Sequence, residues 1–309
     1  MKISVVIPVY QRQKAAERAL RSALSQGELV HEVVIVDDAS PEPFSLPSGL
    51  EGDSRVRVIR HPSNLGAGGA RNTGSRHAQG DWVAFLDSDD YWLPGKLAAQ
   101  AAMVEQDQEE NPGALICYAS GYRRILLADG RRHDLIPIES TEAADFASAC
   151  WFMPGSTALV SKEALARIGP FDTSLRRLED LDWYIRFALA GGRLRVAPVR
   201  GAVIEIGPRP GRTAVAEACR QLKRKWLSKK SPDRLPAASR ARLHAYLDIE
   251  CAAASLQSGN WPATAFYLAR SLMRQPRTQL HLKKWWQTLE EPEIPVSSSR
   301  PANTERRTV

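Results

Sequence analysis

The 309-residue chain contains only four cysteines, and they stand far apart in the sequence. They are Cys117, Cys150, Cys219 and Cys251. No pair has the C-x-x-C spacing and no histidine stands at ligand spacing from them, so the pattern favours neither a disulfide framework nor a zinc site. Four reduced thiols are the simplest interpretation, and they are typical of a cytosolic protein.

Long hydrophobic runs are also absent. No stretch reaches the roughly 18 apolar residues that a membrane-spanning helix needs, so no transmembrane helix is expected. The apolar N-terminus stops at Pro8, and the polar residues 11–14 follow it, which is too early for a secretory signal peptide. We therefore expect a cytoplasmic protein, which could still contact the inner face of a membrane peripherally.

Acidic residues are scarce in the last third of the chain. Residues 1–207 hold 23 basic and 27 acidic side chains, whereas residues 208–309 hold 19 and 8, within a formal net charge of +7. Such asymmetry suggests two different roles for the two parts. The basic residues of the interval 220–242 indicate contact with an anionic membrane surface, and no nucleic-acid partner is expected.

The domain organisation follows from the same change in composition. A glycine- and proline-rich break at 207–211 separates a predicted catalytic domain, residues 1–207, from a basic helical region, residues 208–294. Residues 295–309 are polar and are expected to be a disordered tail. The sequence gives no indication of the oligomeric state.

Short apolar runs alternate with helical patterns through the first half. This alternation predicts an α/β domain with a mostly parallel central sheet flanked by helices. The expected strands are 3–9, 33–36, 56–59, 82–86, 115–118 and 158–160. The expected helices are 12–26, 67–77, 94–106 with Pro in its first turn, 161–167 capped by Ser161, and 180–190. Two later helices, 237–257 and 262–274, are expected to form an antiparallel hairpin.

An acidic cluster follows the apolar run 82–86. Asp87 and Asp89 flank Ser88, and carboxylates this close need a counter-charge. A hard divalent cation such as Mg²⁺ or Mn²⁺ prefers oxygen ligands, and the carboxyl ends of strands are where open α/β sheets bind ligands. We therefore predict a metal site facing an anionic substrate group such as a phosphate ester. Asp90 is interpreted as part of the start of the next helix.

Two other strand ends carry polar residues that could contact a nucleobase. At the first, Pro8 is expected to fix a turn, and the adjoining Val9, Tyr10 and Arg12 offer an aromatic face beside a cation; an ordinary strand-to-helix connection is the alternative. At the second, Asp37 and Asp38 could accept a hydrogen bond from a base, or could form an Asx turn. Neither segment decides between these alternatives by itself.

A glycine-rich segment precedes a predicted helix at 66–72. Gly66, Gly68 and Gly69 would let backbone N–H groups approach a phosphate at the helix start. A dinucleotide-binding fingerprint is rejected because Arg71 occupies the position of the third glycine and the segment follows the third strand. Arg71 would instead supply a forked cation for a pyrophosphate.

A second acidic cluster opens the predicted helix at 180–190. Glu179 and Asp180 could favour the helix N-terminus, as acidic residues commonly do. Beside a metal–diphosphate site, a carboxylate here could instead take the proton from an attacking hydroxyl. Asp182 is the competing candidate for this role.

Five segments, in this order, resemble the large family 2 of inverting glycosyltransferases with the GT-A fold. They are Val6–Tyr10, Val36–Ser40, Gly69–Asn72, Asp87–Asp89 and Glu179–Asp180, and the resemblance covers about residues 1–205. It implies a nucleotide-sugar donor, with a UDP-hexose expected, a saccharide or glycolipid acceptor hydroxyl, and net inversion at the anomeric carbon. The C-terminal region departs from the family pattern, and nothing is inferred for it by resemblance.

The resemblance also implies roles for individual residues. Asp89 would be the main ligand of Mg²⁺ or Mn²⁺, with Asp87 near the metal and the ribose. Asp180 would be the catalytic base, with Glu179 orienting the site or contacting the acceptor, and residues 151–157 would form the acceptor-side wall. The remaining residues expected to bind the nucleotide sugar are Pro8, Val9, Tyr10, Arg12, Asp37, Asp38, Gly69, Arg71 and Ser88.

Two other functions remain open on the sequence alone. A sugar nucleotidyltransferase would normally need a glycine- and lysine-rich loop beside the first strand, and residues 11–13 do not form one. A non-catalytic binding module, recruited through the basic C-terminal region to a membrane or a nucleic acid, is the second alternative.

Overall fold

A computed structural model of the chain describes residues 1–207, 211–228, 235–275 and 285–288. Within these ranges one mixed sheet forms the centre, with the strand order β10-β7-β6-β8-β4-β1-β2-β3 and with β9 pairing with both β5 and β6. The strands are β1 (Ile3–Val9), β2 (Val30–Asp37), β3 (Val56–Arg60), β4 (Trp82–Phe85), β5 (Tyr91–Trp92), β6 (Ile116–Leu126), β7 (Arg132–Pro137), β8 (Leu159–Ser161), β9 (Arg193–Ile206) and β10 (Trp286–Thr288).

Helices cover the sheet, which confirms the predicted α/β class. They are α1 (Gln13–Leu24), α2 (Gly66–His77), α3 (Lys96–Glu110), α4 (Ala143–Phe146), α5 (Pro154–Thr157), α6 (Lys162–Ile168), α7 (Glu179–Leu189), α8 (Arg212–Leu227), α9 (Ala237–Gln257) and α10 (Trp261–Arg274). Ser161 caps α6 as expected, because its side chain accepts a hydrogen bond from the Ala164 N–H. None of the helices in the described ranges is long and apolar enough to cross a membrane.

The parallel part of the sheet brings several strand ends to one edge. Strand β1 pairs in parallel with β2 and β4, and β2 pairs in parallel with β3. All seven residues of β1 are buried, as expected for a strand covered on both faces. The turn predicted at Pro8 is wrong: Pro8 lies inside β1, opposite Val36. Strand β4 pairs with β1 only up to Val6. On that side Pro8 therefore has no paired neighbour, and its missing N–H is tolerated.

The mixed part of the sheet beyond β4, in which β8, β7 and β10 pair antiparallel and β6 and β9 pair in parallel, is larger than the sequence pattern indicated. The strand expected at 115–118 is the 11-residue β6, and the 14-residue β9 pairs along its whole length in parallel. The pattern missed β9 because apolar and charged residues mix along it.

The interpretation of Asp90 as part of the start of the next helix is also wrong. Strand β5 follows Asp90, and α3 begins only at Lys96, so the proline at 94 precedes the helix.

The C-terminal helices pack on the preceding part of the chain. Leu181 and Ile185 of α7 share a buried hydrophobic cluster with Leu222 and Trp226 of α8 and with Leu247 of α9. The predicted boundary at residue 207 therefore divides two stretches of sequence that contribute to one cluster. The predicted hairpin is present as α9 and α10, and strand β10 adds to the sheet next to β7. The tail predicted for 295–309 lies outside the described residues.

Candidate active site

The strand ends and two helix starts form the site. Strands β1, β2 and β4 end at the same edge of the sheet. Tyr10 follows β1, Asp37 is the last residue of β2, and Asp87 lies just after β4. The first turns of α2 and α7 lie at the same edge, because Gly68 of α2 is in contact distance of Glu179: a Cβ added at Gly68 would stand 3.1 Å from the Glu179 Cγ. A side chain at position 68 would therefore require the Glu179 side chain to shift by a few tenths of an ångström.

Arg71 connects the two acidic clusters. Its Nη2 donates to Asp87 Oδ1 at 2.7 Å and its Nη1 donates to Glu179 Oε1 at 2.8 Å. The guanidinium is buried, and although burial lowers its pKa, the charges of Asp87, Glu179 and Asp180 outweigh burial and raise the pKa above its ordinary value. Arg71 thus holds two carboxylates that are distant in sequence in one constellation. Direct contact between Arg71 and a pyrophosphate stays a prediction.

The neighbouring Asn72 fastens the segment that leads to α7. Its side-chain amide exchanges two hydrogen bonds with the backbone of Phe171, at 2.9 and 2.8 Å. Arg71 therefore binds the acidic side chains Asp87 and Glu179, and Asn72 binds the backbone of Phe171, which precedes α7.

Asp180 lies in the first turn of α7 with a raised pKa. Burial and the charge of Glu179 raise the pKa of the Asp180 carboxyl to about 6, against the opposing effect of Arg71. Its Oδ1 accepts a hydrogen bond from the Leu181 N–H at 2.7 Å, which fixes the carboxylate. A carboxylate that is ionised at neutral pH with a pKa near 6 is suited to accept a proton.

Asp182, the competing candidate, points away from Asp180's surroundings and is fully buried. Its Oδ1 accepts from Trp226 Nε1 at 2.9 Å and pairs with Lys225 Nζ at 2.9 Å. Its Oδ2 accepts from Arg186 Nε at 3.2 Å. Asp182 therefore joins α7 to α8, which is a structural task.

The loop after β4 contains one exposed and one buried acid. Asp89 is partly exposed and forms an ion pair with Arg12, so the predicted metal ligand and the predicted base-pocket cation are neighbours. Asp90 is buried, accepts from Ser156 Oγ and from the Glu205 N–H, and has its pKa raised by burial and by the Asp87 charge. Asp90 therefore anchors the loop that carries Asp87, Ser88 and Asp89.

Ser156 and Gly155 place the wall segment 151–157 against this loop. Ser156 Oγ also accepts a hydrogen bond from the Asp87 N–H at 3.2 Å. A Cβ added at Gly155 would stand 2.1 Å from Asp87 Oδ2, so only glycine permits this close approach. Trp151, by contrast, is buried among Phe146 and Phe152 and belongs to the core.

The two acids after β2 are engaged with backbone donors. Asp37 accepts from the N–H groups of Ser40 and Phe44 and from Arg60, and these bonds hold its pKa below the ordinary value against burial, which acts in the opposite direction. Asp38 accepts from His61 and from the N–H groups at the start of α2, those of Leu65 and Gly66. Both acids thus shape the loop, as the Asx-turn alternative anticipated, and their contact with a base stays a prediction.

The other predicted nucleotide-binding residues fall into a buried group and an exposed group. Pro8, Val9 and Ser88 are buried, and Val9 O accepts a hydrogen bond from the Asp38 N–H. Gly69 lies inside α2, where a Cβ would meet Leu65 Cβ at 2.5 Å, so its absence of a side chain serves packing. Tyr10 and Arg12 are exposed beside the site, and Arg12 is the ion-pair partner of Asp89.

Strained backbone concentrates around this site. Four non-glycine residues in the described ranges have a left-handed φ: Gln11, Ala39, Met153 and Leu178. Gln11 lies just after β1, Ala39 lies in the loop after β2, Met153 lies within the wall segment, and Leu178 precedes Glu179. Such conformations cost about 1–3 kcal/mol each and are common at functional sites, which supports the assignment of this edge as the site.

Sequence reasoning missed residues of the C-terminal helices that lie near Asp180. Tyr246 of α9 donates from its hydroxyl to Glu250 Oε1 at 3.1 Å, and Arg177 Nη2 donates to Glu250 Oε2 at 3.0 Å. Burial raises the pKa of Tyr246, and the charges of Glu250 and Asp180 add to the shift; Cys150 likewise lies beside Asp180. These residues belong to no motif, so no sequence signal could have found them.

The described side chains do not form a ready-made metal cage. No group of three His, Cys, Asp or Glu side chains converges in the described ranges. Asp87 and Asp89 offer carboxylate oxygens on one loop, and both side chains are about one third exposed. Mg²⁺ is commonly held by one or two carboxylates together with substrate phosphates, so this donor set fits Mg²⁺ or the similar Mn²⁺.

Comparison with known proteins places the chain in a family. Residues 4–169 match Glycosyl transferase family 2, so the match ends before Glu179 and Asp180. An uncharacterized glycosyltransferase of Haemophilus influenzae is 33% identical over 188 residues, which cover 60% of this chain and 61% of that protein. Succinoglycan biosynthesis protein ExoW of Rhizobium meliloti is 32% identical over 219 residues, which cover 65% and 68%. The match thus spans less than two thirds of the first relative's own length.

Two further comparisons concern a specific enzyme and the fold. The Escherichia coli UDP-Glc:alpha-D-GlcNAc-diphosphoundecaprenol beta-1,3-glucosyltransferase WfgD is 33% identical over 102 residues, covering 33% of this chain and 40% of WfgD. The crystal structure of S. aureus TarS 1-349 in complex with UDP-GlcNAc is similar with a TM-score of 0.59 at 17% identity, covering 91% of this chain and 83% of TarS. The family match covers more than half of the sequence, so the chain belongs to glycosyl transferase family 2, and it has a GT-A-like fold.

Proposed function

We propose that this glycosyltransferase transfers a hexose from a nucleotide-sugar donor, preferentially a UDP-sugar, to a hydroxyl of a saccharide or glycolipid acceptor in polysaccharide synthesis. The names of two relatives support the pathway and acceptor class: ExoW acts in succinoglycan biosynthesis, and WfgD uses UDP-Glc and a diphosphoundecaprenol-linked sugar. TarS, which shares the fold, was crystallised with UDP-GlcNAc. The observation that carries the proposal is the Arg71 bridge, because it joins a strand-end carboxylate to the acids of α7.

In the proposed reaction the acceptor hydroxyl attacks the anomeric carbon while Asp180 accepts its proton. The new bond joins the acceptor oxygen to that carbon, the bond to the diphosphate oxygen breaks, and the configuration inverts. Leu181 N–H and the helix start orient the Asp180 carboxylate, and Glu179, held by Arg71, borders it. The raised pKa of Asp180 favours proton transfer near neutral pH.

On the donor side, Asp87 and Asp89 would hold Mg²⁺ or Mn²⁺ against the diphosphate. When bound, such a cation neutralises the charge that develops on the leaving diphosphate. Tyr10 and Arg12, both exposed beside the site, would contact the base. Ser156 and Asp90 keep the Asp87–Asp89 loop in place.

The products distinguish this proposal from its alternatives. A glycosyltransferase releases free nucleoside diphosphate, a sugar nucleotidyltransferase releases pyrophosphate from a nucleoside triphosphate and a sugar phosphate, and a binding module releases neither. We expect nucleoside diphosphate release from a UDP-hexose, and loss of that release on addition of EDTA. Full activity in EDTA would refute the metal part of the proposal.

Asp89→Ala tests the same assignment in the chain itself. We expect it to abolish metal-dependent donor binding, measured as the rise in melting temperature that a UDP-hexose with Mn²⁺ produces. The melting temperature without ligand should change little, since the side chain is partly exposed. Asp81→Ala is the matched control, an exposed acid at the opposite end of β4. A ligand-induced rise that survives in Asp89→Ala contradicts the assignment.

A further inference from the structure

The last described helix, α10, buries two polar residues and exposes most of its apolar ones. Its buried positions are Thr264 and Ser271, and Ser271 Oγ donates to Ala245 O of α9 at 3.0 Å. The outward residues are Trp261, Pro262, Ala265, Phe266, Leu268, Ala269, Leu272 and Met273. Trp261 is 68% exposed and Met273 is 75% exposed. An ordinary surface helix shows the reverse arrangement.

The outward residues form one continuous face. At 100° per residue they span about 160° of the helix circumference, and none of them is charged. Within residues 235–275, no described side chain buries this face, since all eight of these residues are exposed. Apolar surface of this extent on one helix indicates a binding surface.

Cations border this apolar face. Arg270 and Arg274 lie along one side of it, and the Arg270 guanidinium stacks on the Phe266 ring at 5.2 Å. Both arginines, together with Lys223 of α8, pair with the single buried carboxylate of Asp248. Three cations against one carboxylate leave a positive surplus beside the face, and α10 contains no acidic residue.

The basic interval 220–242, which the sequence suggested as the membrane contact, uses several of its cations internally. Lys225 pairs with Asp172 and Asp182, and Arg242 pairs with Asp145. Residues 229–234 lie outside the described residues. The apolar face of α10 and its basic border therefore offer a better surface for an external partner than this interval does.

We propose that α10 docks the enzyme on an anionic lipid bilayer, with its apolar face in the interface and Arg270 and Arg274 at the headgroups. Aromatic and aliphatic residues with basic residues at the border are typical of helices that lie in a membrane interface. A second copy of the chain fits less well. In an antiparallel symmetric dimer of α10 the two basic borders would lie on the same side of the interface, and α10 has no carboxylate to compensate them. This inference goes beyond the proposed function and holds whatever sugar is transferred.

Vesicle flotation tests the docking. The full chain is mixed with vesicles of phosphatidylcholine and phosphatidylglycerol in equal parts, or with phosphatidylcholine alone. We expect it to float with the anionic vesicles, more weakly at high salt, and to stay unbound with the neutral ones. The variant Phe266→Glu/Leu272→Glu/Met273→Glu should lower the apparent affinity at least about tenfold, since it removes apolar contact and adds like charge. Leu127→Glu, another exposed leucine, is the matched control and should float like the wild type.

Two readouts keep the test decisive. The melting temperature of the triple variant and its nucleoside diphosphate release in lipid-free buffer should match the wild type, because the three side chains are exposed on α10. Failure of the wild type to float, or equal flotation of the triple variant, overturns the proposal. A wild type that does not float and is a dimer by light scattering, with a monomeric triple variant, would assign the face to a second copy instead.

Discussion

The strand-end site and the C-terminal helices are organised around opposite central charges. At the site, Asp87, Glu179 and Asp180 surround one buried cation, Arg71. In the C-terminal helices, Lys223 and two arginines surround one buried carboxylate, Asp248. In each region the single central charge neutralises only part of the opposite charge around it, and the rest is left uncompensated. A negative surplus would suit the proposed metal cation, and a positive surplus would suit the proposed anionic surface.

The two regions are nevertheless physically joined. Asp182 of α7 binds Trp226 and Lys225 of α8, and Arg177 binds Glu250 of α9. The helix that carries Asp180 therefore has its opposite side fixed by the basic region. Two acids that stand two positions apart on α7 thus have different surroundings: Asp180 lies at the proposed site, and Asp182 binds the basic helix α8.

Replacing the two acids separately gives the largest expected effect and tests this division. Asp180→Asn should lower sugar transfer by about 10²–10⁴-fold, the usual contribution of general-base catalysis, and leave donor affinity nearly unchanged. Asp182→Asn should retain most of the transfer rate per folded molecule, but lower the free energy of unfolding by about 1–3 kcal/mol because its buried partners lose a charged acceptor. Steady-state kinetics and denaturant melts measure both. An active Asp180→Asn beside an inactive but stable Asp182→Asn would reverse the roles.

The pH dependence sharpens the same assignment. Because the pKa of Asp180 is raised to about 6, its basic form is depleted as the pH falls through 6. We expect kcat/KM to fall about tenfold for each pH unit below that value and to be level above it. Donor affinity is measured at each pH as well. This measurement separates the fall in kcat/KM caused by protonation of Asp180 from a fall caused by protonation of the donor diphosphate. A profile that stays level down to pH 5, or an identical limb in Asp180→Asn, would exclude Asp180 as the base.

Tyr246→Phe has the smallest expected effect and tests whether the C-terminal helices contribute to the site. The change removes the hydroxyl that donates to Glu250 and so loosens the support of Arg177, just before α7. We expect the acceptor KM to rise about two- to tenfold with donor KM unchanged, from the loss of roughly 0.5–1.5 kcal/mol. Tyr267→Phe is the control, because Tyr267 of α10 and Tyr246 both pack against the hydrophobic cluster shared by α7, α8 and α9. Equal effects in both variants would make the role of Tyr246 a general structural one.

Local sequence patterns were sufficient where one segment decides its own structure. Solidly apolar runs predicted β1, β2 and β4, and the acids that follow them were correctly expected at the strand ends. The Ser161 cap and the α9–α10 hairpin were equally readable, because capping and helical periodicity are local properties. Pro8 was misread because a proline usually ends pairing, whereas here the neighbouring strand has already ended.

The sequence by itself determined the α/β class, the acidic strand ends and the family to which the chain belongs. Only the tertiary structure decided which acids share the site: Arg71 binds Asp87 and Glu179, whereas Asp90 and Asp182 are turned into the protein. It also decided that the C-terminal helices reach the surroundings of Asp180 and expose an apolar face on α10. The reason is that partners distant in sequence fix the direction and burial of a side chain, and these two properties separate a catalytic carboxylate from a structural one.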